Sequence, residues 1–268
     1  MSTDLTEYFA GTKLYGDDFS LAEIEAWFKD EAEGYADLGA KNRSTYRYAY
    51  TELNKRHGYR YIAGRTIDHA LGLGSAWGDE FLPIVRQLRR ITIVDPSDAF
   101  SLTDNIAGVS CRYVKPRTTG DLPFVDGSFD LIACLGVLHH IPNISRVMAE
   151  CQRCLRTGGV MLVREPITSM GDWRRPRTGL TKRERGIPLK IFHEVIAKTG
   201  LRIRHRAFCV FPVVTKLAGK AGLAAFNSPS LTALDAVLSA TFGWNTRYHR
   251  TRWVQKFGPQ SVYFVLEK

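Results

Sequence analysis

No stretch of this 268-residue sequence is apolar over the length a helix needs to cross a bilayer, so no membrane-spanning helix is expected. Cysteine is scarce: five residues, an odd number at irregular spacing, which argues for reduced thiols and against a disulfide framework. Cys151 and Cys154 form a CxxC, but no second pair or His-x-His accompanies it, so packing is favoured over zinc. No dense acid/histidine cluster stands out and no residue is assigned to a metal, but isolated Asp172 and Glu165 could share an ion, so metal dependence stays open. Met1–Ala10 carries acids and lacks an apolar secretory core, which excludes an export signal and points to a cytoplasmic protein. Internal repeats and low-complexity segments are absent. Acids are also in deficit, 27 against 37 Lys and Arg, for a net charge of +10. The block Arg174–Arg206 holds eleven of those cations against only Glu184 and Glu194. Such a block suits nucleic acid, a phosphate-bearing substrate or peripheral contact with an anionic membrane; a solvated face explains it equally well.

What is present is the composition of a globular α/β protein, 44% hydrophobic and 24% charged. Ser20-Leu-Ala-Glu23 is a capping-box pattern, after which Leu21, Ile24, Trp27 and Phe28 recur at helical spacing. A second helix is expected over 42–57, with Tyr46, Tyr50 and Leu53 on one face. Residues 1–60 thus read as a helical cap on a domain covering 61–268. From Arg65 strands and helices alternate, which implies a mainly parallel sheet. Strands are expected at 66–71, 91–94, 111–114, 129–134 and 160–163, with helices at 79–88, 97–106 and 143–155. Asn143 is placed to cap the last helix and Gly158-Gly159 to end it. Residues 164–188, rich in Gly, Pro and cations, read as an ordered loop at the site. A helix at 189–199, a strand at 201–210, a helical insertion over 211–259 and a final strand at 261–267 complete the chain.

The most informative run is Ile67-Asp-His-Ala-Leu-Gly72-Leu-Gly74-Ser-Ala-Trp-Gly78, a strand that turns through glycines into a helix. Glycine there lets the backbone turn tightly and approach a ligand. The Lys-Ser/Thr of a phosphate-binding P-loop is missing, which disfavours nucleotide hydrolysis. Ile91-Thr-Ile-Val-Asp95 ends the second strand in a carboxylate, 23 residues after Gly72. An acid there can accept both hydroxyls of a ribose; the plainer role is a turn residue before Pro96.

Two further runs follow in order: Asp121-Leu-Pro-Phe-Val-Asp-Gly-Ser-Phe-Asp130 through Leu135-Gly136-Val-Leu-His139-His140, and Cys154-Leu-Arg-Thr-Gly158-Gly-Val-Met-Leu-Val-Arg164-Glu165-Pro. Over about 65–166 the chain resembles class I S-adenosylmethionine-dependent methyltransferases of the type 11 kind. Leu73-Gly-Ser-Ala-Trp-Gly-Asp-Glu-Phe and Arg164-Glu-Pro look like members from polysaccharide and glycan biosynthesis clusters. The resemblance implies a Rossmann-like α/β fold: a seven-stranded, mostly parallel sheet with helices on both faces. It implies S-adenosyl-L-methionine as cofactor, bound around Asp68, Gly72, Leu73, Gly74, Ser75, Asp95, Pro96, Arg117, Thr118, Leu135 and Gly136. The family's acid two residues before the first glycine is Ala70 here, so Asp68, one alternation earlier, is its expected stand-in. The acid four residues before Leu122-Pro123 is replaced by Thr118, which shifts adenine recognition onto Arg117 or Thr118.

Methyl transfer to an alcohol needs a base as the new bond forms. His139 and His140 end the fourth expected strand at the ligand-binding edge, where one can serve; the alternative is that both only pack. Glu165 closes the next strand and could orient a histidine or accept an acceptor hydroxyl, or pair with Arg164 at the surface. Trp173, Arg174 and Arg175 offer an aromatic face beside guanidiniums, suited to a phosphorylated sugar. The reading is O-methylation of a sugar or glycan intermediate, small or lipid-linked. Other small acceptors, such as a quinone or secondary metabolite, come second. RNA ranks lower, since no Asn/Asp-Pro-Pro-Tyr/Phe run or appended RNA-binding module is present, and a non-catalytic binding protein remains the contrasting class. The acceptor and the oligomeric state are not legible in the residues.

Overall fold

The computed structural model describes residues 5–38, 43–100, 104–173 and 175–268. Eight strands form one sheet in the order β3-β4-β2-β1-β5-β6-β8-β7. They span Ala70–Leu73 (β1), Arg90–Val94 (β2), Asn105–Ile106 (β3), Val109–Val114 (β4), Phe129–Leu135 (β5), Leu155–Pro166 (β6), Arg202–Cys209 (β7) and Ser261–Glu267 (β8). The five from β4 across to β6 pair in parallel. β8 runs antiparallel to both β6 and β7, and β3 antiparallel to β4. The two-residue β3 is the one strand beyond the seven expected. The chain winds outward from β1 to β2 and β4, then returns to place β5 on β1's other side. This reversal opens a crevice at the strands' carboxyl ends, between β1 and β5.

Period-two alternation sends one set of side chains to each face. Leu71, Leu73, Ile132, Cys134, Met161 and Val163 join one core; Ala70, Ile91, Ile93, Leu131, Ala133 and Leu162 join the other. Such two-sided burial is what parallel strands flanked by helices require. The first core is covered by Ile144–Cys154 (α4) and Leu189–Thr199 (α5). The second is covered by Thr51–His57 (α3), Pro212–Lys220 (α6) and the turns around Phe81 and Phe226. Thr6–Ala10 (α1) and Leu21–Leu38 (α2) come before α3, and Pro229–Thr241 (α7) follows α6. No helix among the described residues is long and apolar enough to cross a membrane.

Local departures from expectation have identifiable causes. The expected helix at 79–88 is a 3-10 run over Asp79–Gln87, because Pro83 inside it lacks an amide for the α ladder. Phe81, Ile84 and Leu88 are buried as the spacing implied. Of the expected helix at 97–106, the described residues form a 3-10 turn at Asp98–Phe100 and β3 from Asn105, and 101–103 lie outside the described residues. In place of a helix from 42, α3 starts at Thr51, so Tyr46 and Tyr50 lie in irregular chain before it. Asn143 precedes α4 but donates Nδ2 to the Thr119 carbonyl instead of capping. Gly158 and Gly159 sit within β6 and do not end α4, which stops at Cys154. The carboxylate half of the Ser20–Glu23 box forms: Glu23 accepts the Ser20 amide at 2.8 Å, while the Ser20 hydroxyl donates to the same carboxylate at 2.7 Å instead of accepting an amide.

Candidate functional site

At the crevice the Gly74 amide donates to the Val94 carbonyl at 2.8 Å, which ties the loop after β1 to the end of β2. Asp95 follows at once. Its carboxylate accepts the Ala76 amide at 3.1 Å and the Ser97 amide at 2.9 Å, one on each oxygen. Burial raises its pKa, against the downward pull of those two amides. Gly74 has φ +60°, and a Cβ there would stand 2.6 Å from Val137 Cγ1. Gly72 is closed differently, since a Cβ would meet Ser75 Oγ at 2.3 Å. Both positions are therefore closed to a side chain by the protein's own packing, and the positive φ at Gly74 favours glycine as well.

Two cavities meet at Leu73, Gly74 and His140. The smaller, about 120 Å³, is mostly apolar, with Val94, Pro96, Pro116, Val137 and Ile141 beside Asp95, Arg117 and Thr118. The larger, about 650 Å³, runs past Ser75, Leu135 and Gly136 to His139, His140 and Glu184. Tyr46, Tyr48, Tyr50, Glu80 and Arg164 also line it. Arg164 is only 6% exposed, donates one nitrogen to the Leu135 carbonyl at 3.0 Å and stacks 3.6 Å from the Tyr50 ring centroid. Its other terminal nitrogen, Nη1, is buried without a partner. A buried guanidinium left short of acceptors is a costly feature unless a ligand brings an anion. Burial also raises Glu80 to about 7, opposed by a Ser75 hydrogen bond.

The histidines sit on a 3-10 turn, Leu138–His140, directly after β5. Glu165, fully buried at the end of β6, caps this turn: it accepts the amides of Val137 (2.8 Å), Leu138 (2.9 Å) and His139 (3.3 Å). Its Oε2 also lies 2.7 Å from His139 Nδ1, while Glu184 Oε1 is 3.4 Å from His139 Nε2. Burial would lower the His139 pKa, but the two carboxylates outweigh it and lift the ring to about 9. Glu184 is lowered to about 2, the His139 hydrogen bond and the imidazole charges outweighing its burial. His140 goes the other way, lowered by burial and by the charge on His139. Its Nδ1 is 2.9 Å from Glu31 Oε2 of α2. Environments that drive two neighbours' pKa values apart separate their roles: His139 is the cation, His140 the neutral ring. One ligand atom from each of His139, His140 and Glu184 falls within a 4.8 Å span, so this trio could hold a cation.

Residues 71–163 match the family model described as a methyltransferase domain. The chain is 32% identical over 108 residues to a Mycolicibacterium smegmatis protein named a probable S-adenosylmethionine-dependent methyltransferase, covering 39% of each chain. It is 33% identical over 102 residues to the sterol 4-C-methyltransferase strm-1 of Caenorhabditis elegans, covering 35% of this chain and 30% of that one. These alignments thus span well under two thirds of the relatives' length. An S-adenosylmethionine-dependent methyltransferase of Archaeoglobus fulgidus has the same fold, with TM-score 0.51 at 15% identity over 89% of this chain and 99% of that one. Residues 71–163 thus match a methyltransferase domain, and the chain shares the fold of the S-adenosylmethionine-dependent methyltransferases.

Within this methyltransferase domain, Leu73, Gly74, Ser75, Asp95, Pro96, Arg117, Thr118, Leu135 and Gly136 all line the two cavities. Gly72 stands behind them, its role steric. Asp68 does not take part: it lies at the amino end of β1, exposed, paired with Arg89 at 3.2 Å. Parallel strands bind ligands at their opposite ends, so the alternation that put Asp68 on the right face put it at the wrong edge. Glu165 is a positioning residue that lines neither cavity, and it forms no surface pair with Arg164, both being buried. Trp173 is also outside the cavities: its Nε1 donates to the Ser169 carbonyl at 2.7 Å and its ring stacks on Phe9 and Tyr15. Arg175 is exposed and lines neither cavity, and Arg174 lies outside the described residues. The 164–188 loop contributes Gly179 and Glu184 instead. Arg185, fully buried, pins that loop by donating to the carbonyls of Tyr15, Leu138, Ile141 and Pro142. Sequence reasoning missed Arg164, Glu80, Glu184 and Glu31 as residues lining the two cavities. Only Arg164, a cation inside an otherwise apolar strand run, left a signal.

Proposed function

We propose that this chain is an S-adenosylmethionine-dependent methyltransferase that O-methylates a hydroxyl of a sugar or glycan intermediate, with His140 as the base. One observation carries the reading: a single crevice joins the glycine cradle and Asp95 to the neutral His140 through shared lining residues. The residues fit the cofactor. Asp95 keeps lone pairs beyond its two amide bonds for ribose hydroxyls. The apolar smaller cavity suits an adenine face. Glu80 and Arg164 supply an acid and an unpartnered cation beside Gly74 and Gly136, which suits the amino acid end. When bound, S-adenosylmethionine supplies a methyl group already activated on a sulfonium.

The chain's own residues then position and deprotonate the acceptor. The Glu31 carboxylate favours the proton on His140 Nδ1, which puts the lone pair on Nε2. Glu165 and Glu184 keep His139 charged and fixed, so it orients and polarises without accepting a proton. Tyr46, Tyr48 and Tyr50 line the larger cavity, and an aromatic lining suits a sugar ring.

The sterol activity in the name of the nematode relative favours a second reading, an apolar acceptor. A labelled-methyl screen over sugar nucleotides, lipid-linked sugars, sterols, quinones and RNA separates the two. Label on a carbohydrate supports the proposal, and transfer only to sterol, quinone or RNA overturns it.

A further inference from the structure

Residues 211–259 carry eight of the twelve exposed large apolar side chains among the described residues. Trp244 and Trp253 are the extreme cases, 76% and 79% exposed. The same segment contains one acid, Asp235, which is fully buried and accepts the amides of Val210 and Phe211. Its exposed charges are therefore all positive: Lys216, Lys220, Arg247, Arg252 and Lys256.

Part of this segment is joined into one unit. On α7, Leu234 and Val237 are three residues apart and so lie on one helix face. The helix ends at Phe242, whose ring packs 4.9 Å from that of Phe257. Asn245 Nδ2 donates to the carbonyls of Val254 and Phe257, both at 2.8 Å, which fastens the Trp244 turn to the Trp253 turn. Two exposed tryptophans thus sit on adjoining turns directly after α7, in a segment whose exposed charges are cations.

We propose that this surface docks on a bilayer with anionic headgroups. Tryptophan, with its apolar body and polar N–H, partitions to the membrane–water interface, and Lys and Arg at the rim add attraction to anionic lipid. Large exposed apolar patches mark interaction sites, and a contact made by such a surface is peripheral. A second copy is a poor occupant, because an isologous pairing would bring the five cations against their own images. Nucleic acid suits the charge but not Leu217, Leu234 and Val237, which have no base or phosphate to meet. Behind the surface, Tyr248 bonds both Ser169 and Gly186, and His249 Nδ1 lies 2.8 Å from Ser169 Oγ. The docking segment therefore also braces the loop that brings Glu184 to the larger cavity.

The test uses the full chain, without cofactor or acceptor, so that its outcome is independent of the methyl-transfer reading. Co-sedimentation with phosphatidylcholine vesicles is compared with vesicles containing phosphatidylglycerol. Binding should be at least about tenfold tighter to the latter and weaken with added salt. Tryptophan emission should shift to the blue on binding, since Trp27 and Trp77 are already buried. Trp244→Ser with Trp253→Ser should lose the binding while melting at the parent temperature. Absence of pelleting, equal binding by the double variant, or a concentration-dependent dimer that the double variant abolishes would overturn the proposal.

Discussion

Glu165 and His139 are locked together through the ring's Nδ1 at 2.7 Å, so the opposite nitrogen faces Glu184 at 3.4 Å. A ring between two buried carboxylates stays protonated, which removes it from the list of bases and makes it part of the scaffold. The proton is then a structural component of the site, and its loss should be visible as a change in stability.

His139 rises from 6.5 to about 9 on folding, so its contribution to stability is fully present below 6.5 and is lost as pH climbs through about 9. The shift corresponds to on the order of 3 kcal/mol. Glu184 works from the acid side: lowered to about 2, its contribution is present above about 4.5 and lost as pH falls toward 2. Groups facing the ring are Glu165 of β6, Glu184 of the loop and His140, with Glu31 of α2 behind His140. Denaturant melts of the parent should therefore weaken between pH 6.5 and 9. His139→Gln should be less stable at pH 6 and nearly flat across that interval. A parallel decline in both would show that the ring is not charged.

The same charge balance bears on metals. An imidazolium already supplies a positive charge between Glu165 and Glu184, in the place a cation held by His139, His140 and Glu184 would take. Dialysis against a chelator is expected to leave both the methyl-transfer rate and the melting temperature unchanged. Loss of rate restored by a divalent ion would reassign the trio.

His140, with its pKa lowered by burial and by the neighbouring cation, is neutral near pH 7 and ready to accept a proton. His140→Ala should cut kcat by about 100-fold or more, the usual contribution of a positioned base, with the S-adenosylmethionine Kd changed less than about threefold. The acid limb of the parent's kcat profile should lie below pH 6.5. A variant that loses affinity and turnover equally would place His140 in the cofactor cradle instead.

Asp95 and Gly74 test the cradle itself. Asp95→Ala removes charged hydrogen bonds worth about 1.5–3 kcal/mol, so calorimetry should show cofactor affinity falling about ten- to a hundredfold. Gly74→Ala forces a Cβ into a φ of +60° and against Val137, and should weaken binding and lower the melting temperature together. Unchanged affinity in both would move the cofactor elsewhere.

The parallel sheet and the cradle were legible because their determinants are local. Gly72, Gly74 and Asp95 lie in or directly after two adjacent strands, and the strands alternate with helices strongly enough to read. Asp68 misled because face is set by alternation, whereas edge depends on where β1 begins, two residues later than the aspartate. Trp173 misled because its ring is taken by Phe9 and Tyr15, more than 150 residues away in sequence. Glu31, His140 and Glu184 come together from three remote segments, so no spacing rule could reveal them. The apolar character of 211–259 was visible, but read as helix-forming; its outward orientation is a tertiary fact.

Arg164 offers the sharpest test of the amino acid end. Its Nη1 is buried without a partner, its Nη2 is held by Leu135, and Glu80 lines the same cavity beside the glycine loop. If the methionine carboxylate completes the guanidinium, Arg164→Ala costs a charge-assisted bond and affinity should drop about ten- to a hundredfold. Arg164→Lys should recover only part of this, because lysine cannot both reach the Leu135 carbonyl and present a second nitrogen in a fixed fork. Decarboxylated S-adenosylmethionine separates the possibilities by calorimetry. If Arg164 binds the carboxylate, this analogue binds weakly to the parent and equally weakly to Arg164→Ala. Should the substitution weaken the analogue and S-adenosylmethionine alike, Arg164 is supporting the fold around Tyr50. Should it leave both unchanged and raise only the acceptor KM, the anion it waits for belongs to the acceptor.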